Sequence, residues 1–350
     1  MEEEAMPKPV SFSYGVSFGL VALIAFSGAA VLGASVAAGD LPGHGRVVTA
    51  ADDSLIEGRF QTEIVFAGLE RLGYQPGEVL NLNVPTMYVA LAQEEADFLA
   101  VGWQPQNTET YEKAGGDDKM TQVGVIVKGA AQGYQIDKRT AEEFGITDIT
   151  QLKAPELAKL FDTDGDGRAN LAGCPPGWGC ETVIEHHLDS YGLRDWIQHD
   201  QGDFVPIHAD VVARYKTGER VLFYTYVPMW LSQILVPGVD VEWLEVPFTS
   251  LPYDPGEREF TTELADGRNL GFEVQVIKIV ACNKFLEENP AARRFFELVE
   301  IPLEDVNAEN LLIYQGEDTL DDVRRHAEEW ISRHQAMFDA WVADAMAAAE

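Results

Sequence analysis

The chain has 350 residues, 46% of them hydrophobic and 24% charged, which is material for large buried cores and at about 150 residues each suggests two domains. Its formal net charge of -33 gives a surface that repels polyanions, which argues against a nucleic-acid partner.

The first element in chain order is an apolar run. From Gly15 to Gly39 no residue is charged, Lys8 precedes the run, and Val36 and Ala38 fit the small-residue rule for signal peptidase. Residues 1–38 are therefore expected to be a signal peptide, or an uncleaved membrane anchor, with the folded part exported. An acidic start, MEEEAM, departs from the basic leading region usual in such peptides. No cysteine follows the run, so a lipid-anchored form is not expected.

Residues 45–102 then alternate strand and helix. GRVVTA is strand-like, and LIEGRFQTEIVFAGLERLG places apolar residues at helical spacing before a closing Gly73. EVLNLNV alternates with period two, MYVALAQEEA reads as a short helix, and DFLAVGW is a buried strand. A second α/β unit begins through GVIVKGAAQGYQID (124–137). It continues with helical stretches at TAEEFGI and APELAKLF, a loop over 162–180, a helix near 181–191 and the strand ERVLFYTYVP (219–228). LGFEVQVIKIVACNKF (270–285) is expected to return as a strand to the first sheet, with Cys282 a buried free thiol. A long amphipathic helix is expected over 319–348, with Val323, Ala327, Trp330, Ile331, Met337, Phe338 and Trp341 on its core face.

Strands separated by helices imply an α/β fold with mainly parallel sheets flanked by helices. The expected organisation is two lobes: 39–130 as lobe 1, 131–272 as lobe 2, and 273–350 returning to lobe 1. Two crossings make a hinge, and a ligand would sit in the cleft at the carboxyl ends of the strands.

Three aromatics stand where a strand stops or a loop is pinned. Trp103 ends DFLAVGW, Tyr226 ends VLFYTY on the other lobe, and Trp178 lies in GCPPGWGC. In an exported protein, Cys174 and Cys180 are expected to pair as a structural disulfide: their spacing is too wide for CxxC, and no second pair completes a zinc site. Such a bridge would fix the loop and the orientation of Trp178.

Several other signals carry less. DTDGDGRANLAG places Asp162, Asp164, Asp166, Gly167 and Asn170 at calcium-loop positions 1, 3, 5, 6 and 9. Position 12 is Gly173 instead of an acid, so the favoured reading is a plain turn without a metal. Glu185, His186 and His187 lack the i, i+4 spacing of a metal pair and read as surface, as do EEFGITD and HAEEWISR. No glycine fingerprint, P-loop or GxSxG elbow is present, and no cofactor is expected.

At DLPGHG, KGAAQGYQIDKRTA, QLKAPELAKLFDTDGDGRANLAGCPPGWGCE, VLFYTYVPMW, VEWLEVPF and ENPAARRFFELV the chain resembles the periplasmic substrate-binding proteins of glycine betaine/proline betaine ABC transporters, of the type with an internal disulfide. The resemblance covers essentially all of the chain after the leader. It implies a two-lobe periplasmic-binding-protein fold and no enzymatic activity. It also implies a box of rings around a quaternary ammonium, formed by Trp103, Trp178 and Tyr226, the last being tryptophan elsewhere in the family. The amides of Gly179 and Cys180 would hold the ligand carboxylate. Asn107 stands where the family has a histidine on that carboxylate. The implied partners are a small quaternary amine and a membrane permease with its ATPase, with the receptor monomeric and periplasmic. Alternatives are the same fold binding choline or another quaternary amine, and an exported enzyme acting on one.

Overall fold

A computed structural model describes residues 41–53, 55–253 and 260–349; the apolar leader lies outside them. Nine strands form one continuous sheet: β1 (Val47–Asp52), β2 (Gln75–Asn81), β3 (Phe98–Gln104), β4 (Met120–Asp137), β5 (Ala169–Ala172), β6 (Ile197–Asp200), β7 (Leu222–Val227), β8 (Val241–Leu244) and β9 (Gln275–Cys282). Their order is β2-β1-β3-β9-β4-β7-β5-β6, with β8 also on β4. Within each half the strands joined by helices run parallel, β1 with β2 and β3, and β5 with β6 and β7. Every antiparallel pair involves β4 or β9, the two strands that carry the chain between the halves.

β4 is the joint of the molecule. Its residues Met120–Ala130 pair with β9, and Ala131–Ile136 pair with β7. The partner changes just after Gly129, whose φ of +77° is open to glycine and strained for other residues. Two hydrophobic cores flank this change. One is built from residues 48–127 and 277–345, the other from residues 134–272. A smaller cluster around Met87, Tyr88, Leu99 and Tyr111 backs the first. The fold class is the α/β arrangement expected from the alternating pattern, and the connections that cross the sheet supply its antiparallel part.

Local chemistry sets the helix ends. Asn83 Oδ1 accepts the Thr86 N–H at 3.0 Å, starting the helix Val84–Ala92 three residues before the apolar pattern does. Asp137 caps Lys138–Phe144, which Gly145 closes at φ +65°. APELAKLF forms a helix only over Pro155–Ala158.

Three expectations need correction. The run 319–348 is two helices, Leu320–Arg333 and Gln335–Ala347. They part at His334, whose ring stacks on Trp330 at 4.3 Å and whose Nδ1 lies 2.9 Å from the Trp330 carbonyl. Trp330 is fully buried and donates its indole N–H to Asp305, but Met337 is exposed because the break turns it off the core face. His187 is buried, not at the surface: Nδ1 is 2.9 Å from the Tyr134 hydroxyl and Nε2 is 3.0 Å from the Ser250 carbonyl. Burial pushes its pKa down to about 3, so it is a neutral hydrogen-bonding core residue. His326, inside HAEEWISR, is likewise buried, between Glu309 at 2.9 Å and Glu317 at 3.1 Å. Both histidines had polar sequence neighbours, and helical phase turned them inward. Cys282 is a buried free thiol and Cys174 is bonded to Cys180. Among the described residues no helix is long and apolar enough to cross a membrane.

Candidate ligand site

Trp103 sits next to last in β3, and Tyr226 next to last in β7, so each strand delivers a ring to the same end of the sheet. Pro105 and Pro228 follow within two residues, and each is preceded by a cis peptide bond. Trp178 is the N-cap of the helix Gly179–Ser190, and the Cys174–Cys180 bridge ties the turn before it to that helix's first turn. The three rings meet. Trp103 and Tyr226 lie edge to face at 5.3 Å between centroids, and Trp178 and Tyr226 lie at 6.1 Å.

They line one cavity, about 410 Å³ including its mouth, and Asn107 and Gly179 lie on its wall with them. Cys180 is buried and does not line it. The sequence reading missed Asp53, Val84, Gln106, Gln132 and Tyr224, which also line the cavity. Only tertiary folding brings these together; Gln106, three residues after Trp103 and just past Pro105, is the one beside a residue the sequence marked. Phe204 was missed as well. It stacks on Trp178 at 5.5 Å and lies 5.1 Å from Tyr226, so it backs both rings. His208 supports Phe204 in turn, stacked at 3.8 Å, with Nδ1 2.8 Å from the Phe204 carbonyl and Nε2 2.6 Å from the Tyr224 carbonyl. Burial lowers its pKa, and the two carbonyls, which favour the charged ring, offset part of that.

A polar chain crosses the cavity from one core to the other. The Gln106 backbone N–H donates to Gln275 at 3.0 Å, Gln132 Nε2 donates to Gln106 Oε1, and the Tyr224 hydroxyl donates to Gln132 Oε1 at 2.7 Å. Asn107, only 5% exposed, stands at the start of the helix Thr108–Lys113, with its side chain against the Tyr88 hydroxyl.

The helix that follows Trp178 presents its amino end. Among the described residues no acceptor takes the amide N–H of Gly179 or Cys180, whereas the Gly177 N–H is bound by Glu181 at 2.7 Å. Two free amides and the positive end of a helix dipole attract an anion. Gly179 has no side chain for a steric reason: a Cβ there would lie 2.3 Å from Gln106 Cγ and 2.9 Å from the Gln106 carbonyl oxygen. Asp53, also on the cavity lining, accepts the Leu55 N–H at 2.8 Å. Burial, then the Asp52 charge beside it, push its pKa up to about 8. The cavity thus joins aromatic faces, a pair of free amides and a carboxyl group. Among the described residues its lining holds no nucleophile aligned with a base.

Elsewhere, the Asp162, Asp164 and Asp166 carboxylates lie within 4.8 Å of one another. Asp162 accepts the Gly165 and Gly167 N–H groups, and Asn170 accepts that of Thr163, bonds of an ordinary Asp-Gly turn.

Residues 46–333 match the family described as the substrate-binding domain of the ABC-type glycine betaine transport system. The chain is 49% identical over 315 residues to the glycine betaine-binding periplasmic protein OusX of Dickeya dadantii, covering 90% of this chain and 94% of that one. It is 44% identical over 326 residues to the glycine betaine/proline betaine-binding periplasmic protein of Escherichia coli, covering 93% and 98%. Among solved structures it is similar to an ABC-transporter choline-binding protein in complex with choline (TM-score 0.65, 17% identity, 87% and 96% covered). It is also similar to lactococcal OpuAC closed around glycine betaine (TM-score 0.63, 18% identity, 85% and 99% covered). These two likenesses show a shared fold.

Proposed function

Because the chain belongs to the family of substrate-binding domains of ABC-type glycine betaine transport systems, we propose that its cavity captures glycine betaine or proline betaine for import. Family membership makes it a substrate-binding receptor and not an enzyme. The observation that carries the ligand assignment is the meeting of Trp103, Trp178 and Tyr226 in one cavity.

The chemistry follows from the ligand's two ends. A trimethylammonium has charge but no N–H to donate. Aromatic faces give it negative potential and apolar contact together, at ~0.5–2 kcal/mol per ring. Three rings supply about 2–5 kcal/mol, while micromolar binding requires about 8 kcal/mol. The remainder comes from methyl burial and from the carboxylate, which the Gly179 and Cys180 amides and the Asn107 side chain would hold. A primary ammonium loses its water hydrogen bonds in this box and regains none from the rings, so it is rejected.

The two cores act as lobes in this reading, hinged at β4 and at the return into β9, and ligand shifts them toward the closed form. The closed receptor then docks on a membrane permease driven by its ATPase. The apolar leader exports it, and the receptor works in the periplasm, as its relatives' names state of them. Choline is the second reading. Asparagine at position 107 is a weaker partner for a carboxylate than histidine, and the phenol at position 226 replaces an indole.

Calorimetry with glycine betaine, proline betaine, choline and glycine tests the assignment. Betaines in the micromolar range with no heat from glycine are expected; equal binding of glycine, or none of either betaine, overturns it.

A further inference from the structure

A second cavity of about 360 Å³ including its mouth adjoins the first. Trp103, Tyr226 and Asp53 line both cavities, so the two share part of their lining. Carbon covers much of the second chamber, from Leu55, Val101, Ile277 and Val306. Among the described residues its polar lining includes Asp53, Glu57, Gln61 and Asn310, with no lysine, arginine or histidine. Asn310, on the helix Leu303–Tyr314, is 2% exposed, and its Oδ1 has no hydrogen-bond partner among the described residues. In the orientation that satisfies its nitrogen, Gln61 donates to the Gly58 and Glu57 carbonyls at 3.3 and 3.1 Å, which leaves its oxygen as a further acceptor.

The partly buried Asp53 and Glu57 carboxyl groups face no basic side chain among the described residues of the chamber lining, which favours a proton or a counter-ion on them. Burial raises the pKa of both Asp53 and Glu57, the signature of that missing charge. An orphaned carbonyl oxygen beside them calls for a donor or a cation.

We propose that this chamber binds an alkali cation, sodium or potassium, through the Asp53 and Glu57 carboxylates and the Asn310 carbonyl, with the Trp103 and Tyr226 rings beside it. A calcium ion takes six to eight oxygens and fits poorly where so much of the wall is carbon, whereas aromatic faces attract monovalent cations. The site goes beyond the betaine reading and stands without it. It also has a consequence for that reading: the cation would lie beside the same two rings as the quaternary ammonium, so the two charges oppose each other. Reciprocity then requires each to weaken the other.

The test uses the exported chain at constant ionic strength, with N-methyl-D-glucamine chloride exchanged for sodium or potassium chloride. Sodium-23 NMR should show saturable line broadening that Asn310→Leu abolishes. That substitution changes no charge, so diffuse sodium around the acidic surface is unaffected. Asn310→Asp, nearly the same shape, should bind sodium more tightly, which keeps the test open if the leucine variant fails to fold. Betaine affinity should fall about fivefold on replacing glucamine by sodium in the parent, and by less than about twofold in Asn310→Leu. Broadening that does not saturate, or that persists unchanged in Asn310→Leu, or weaker sodium binding by Asn310→Asp, overturns the site. The NMR arm contains no betaine, so its outcome is separate from that of the betaine reading.

Discussion

Tyr226 is touched by every other ring of the cluster: Trp103, Trp178 and Phe204 lie 5.1 to 6.1 Å from it. Its hydroxyl makes no hydrogen bond among the described residues, and burial, then the Glu57 and Asp53 charges, hold its pKa well above the usual phenol value. The ring face and not the hydroxyl is therefore what it offers a cation. Tyr226→Phe is expected to keep betaine affinity within about twofold, measured by calorimetry, whereas Trp178→Ala should cost about tenfold or more through one lost ring. These three rings were legible in the sequence because each ends a strand or sits in a bridged loop. Asp53 and Gln132 were not, since nothing local distinguishes a wall residue of the cavity from any other polar residue near a strand.

At the scale of elements, the bridged turn 174–180 fixes both a ring and a helix end with two free amides. Replacing Cys174 and Cys180 together by serine is expected to destabilise the fold by about 2 kcal/mol. It should lower betaine affinity as well, because the turn no longer arrives preformed; thermal unfolding and calorimetry on one sample give both numbers. The helix pair Leu303–Tyr314 and Leu320–Arg333 is joined through His326. Burial opposes its charge, but hydrogen bonds to Glu309 and Glu317 outweigh that and raise its pKa above 6.5. A raised histidine pKa gives stability that is full below the unfolded value and lost as pH rises through the folded one. The stability advantage of the parent over His326→Gln should therefore shrink from pH 6 toward pH 8 in urea unfolding. An advantage that grew over that range would contradict the charged pairing. Periodicity found the helical run 319–348, but it could not find the break at His334, where the folded chain stacks the ring on Trp330.

At the scale of the whole molecule, the alternation of strands and helices gave the fold class. The role of β4 stayed hidden, since an 18-residue strand that changes partners midway has no sequence signature apart from Gly129. Gly179 lies against Gln106, a contact that the proposed closing of the two cores would make. Gly179→Ala should fold normally, with its unfolding temperature unchanged within a few degrees, but stay open: betaine should bind about tenfold to a hundredfold more weakly. Small-angle scattering should show no contraction on adding ligand, and a normal contraction would remove Gly179 from the closing contact. The central claim is that rings from both cores grip a methylated cation while the helix end at Gly179 takes its carboxylate. A crystal structure of the protein grown with glycine betaine tests it most directly. The account predicts the ligand's methyl groups packed on the faces of Trp103, Trp178 and Tyr226, with its carboxylate oxygens at hydrogen-bond distance from the Gly179 and Cys180 amides. Betaine bound elsewhere, or reversed so that its carboxylate faces the rings, would contradict it.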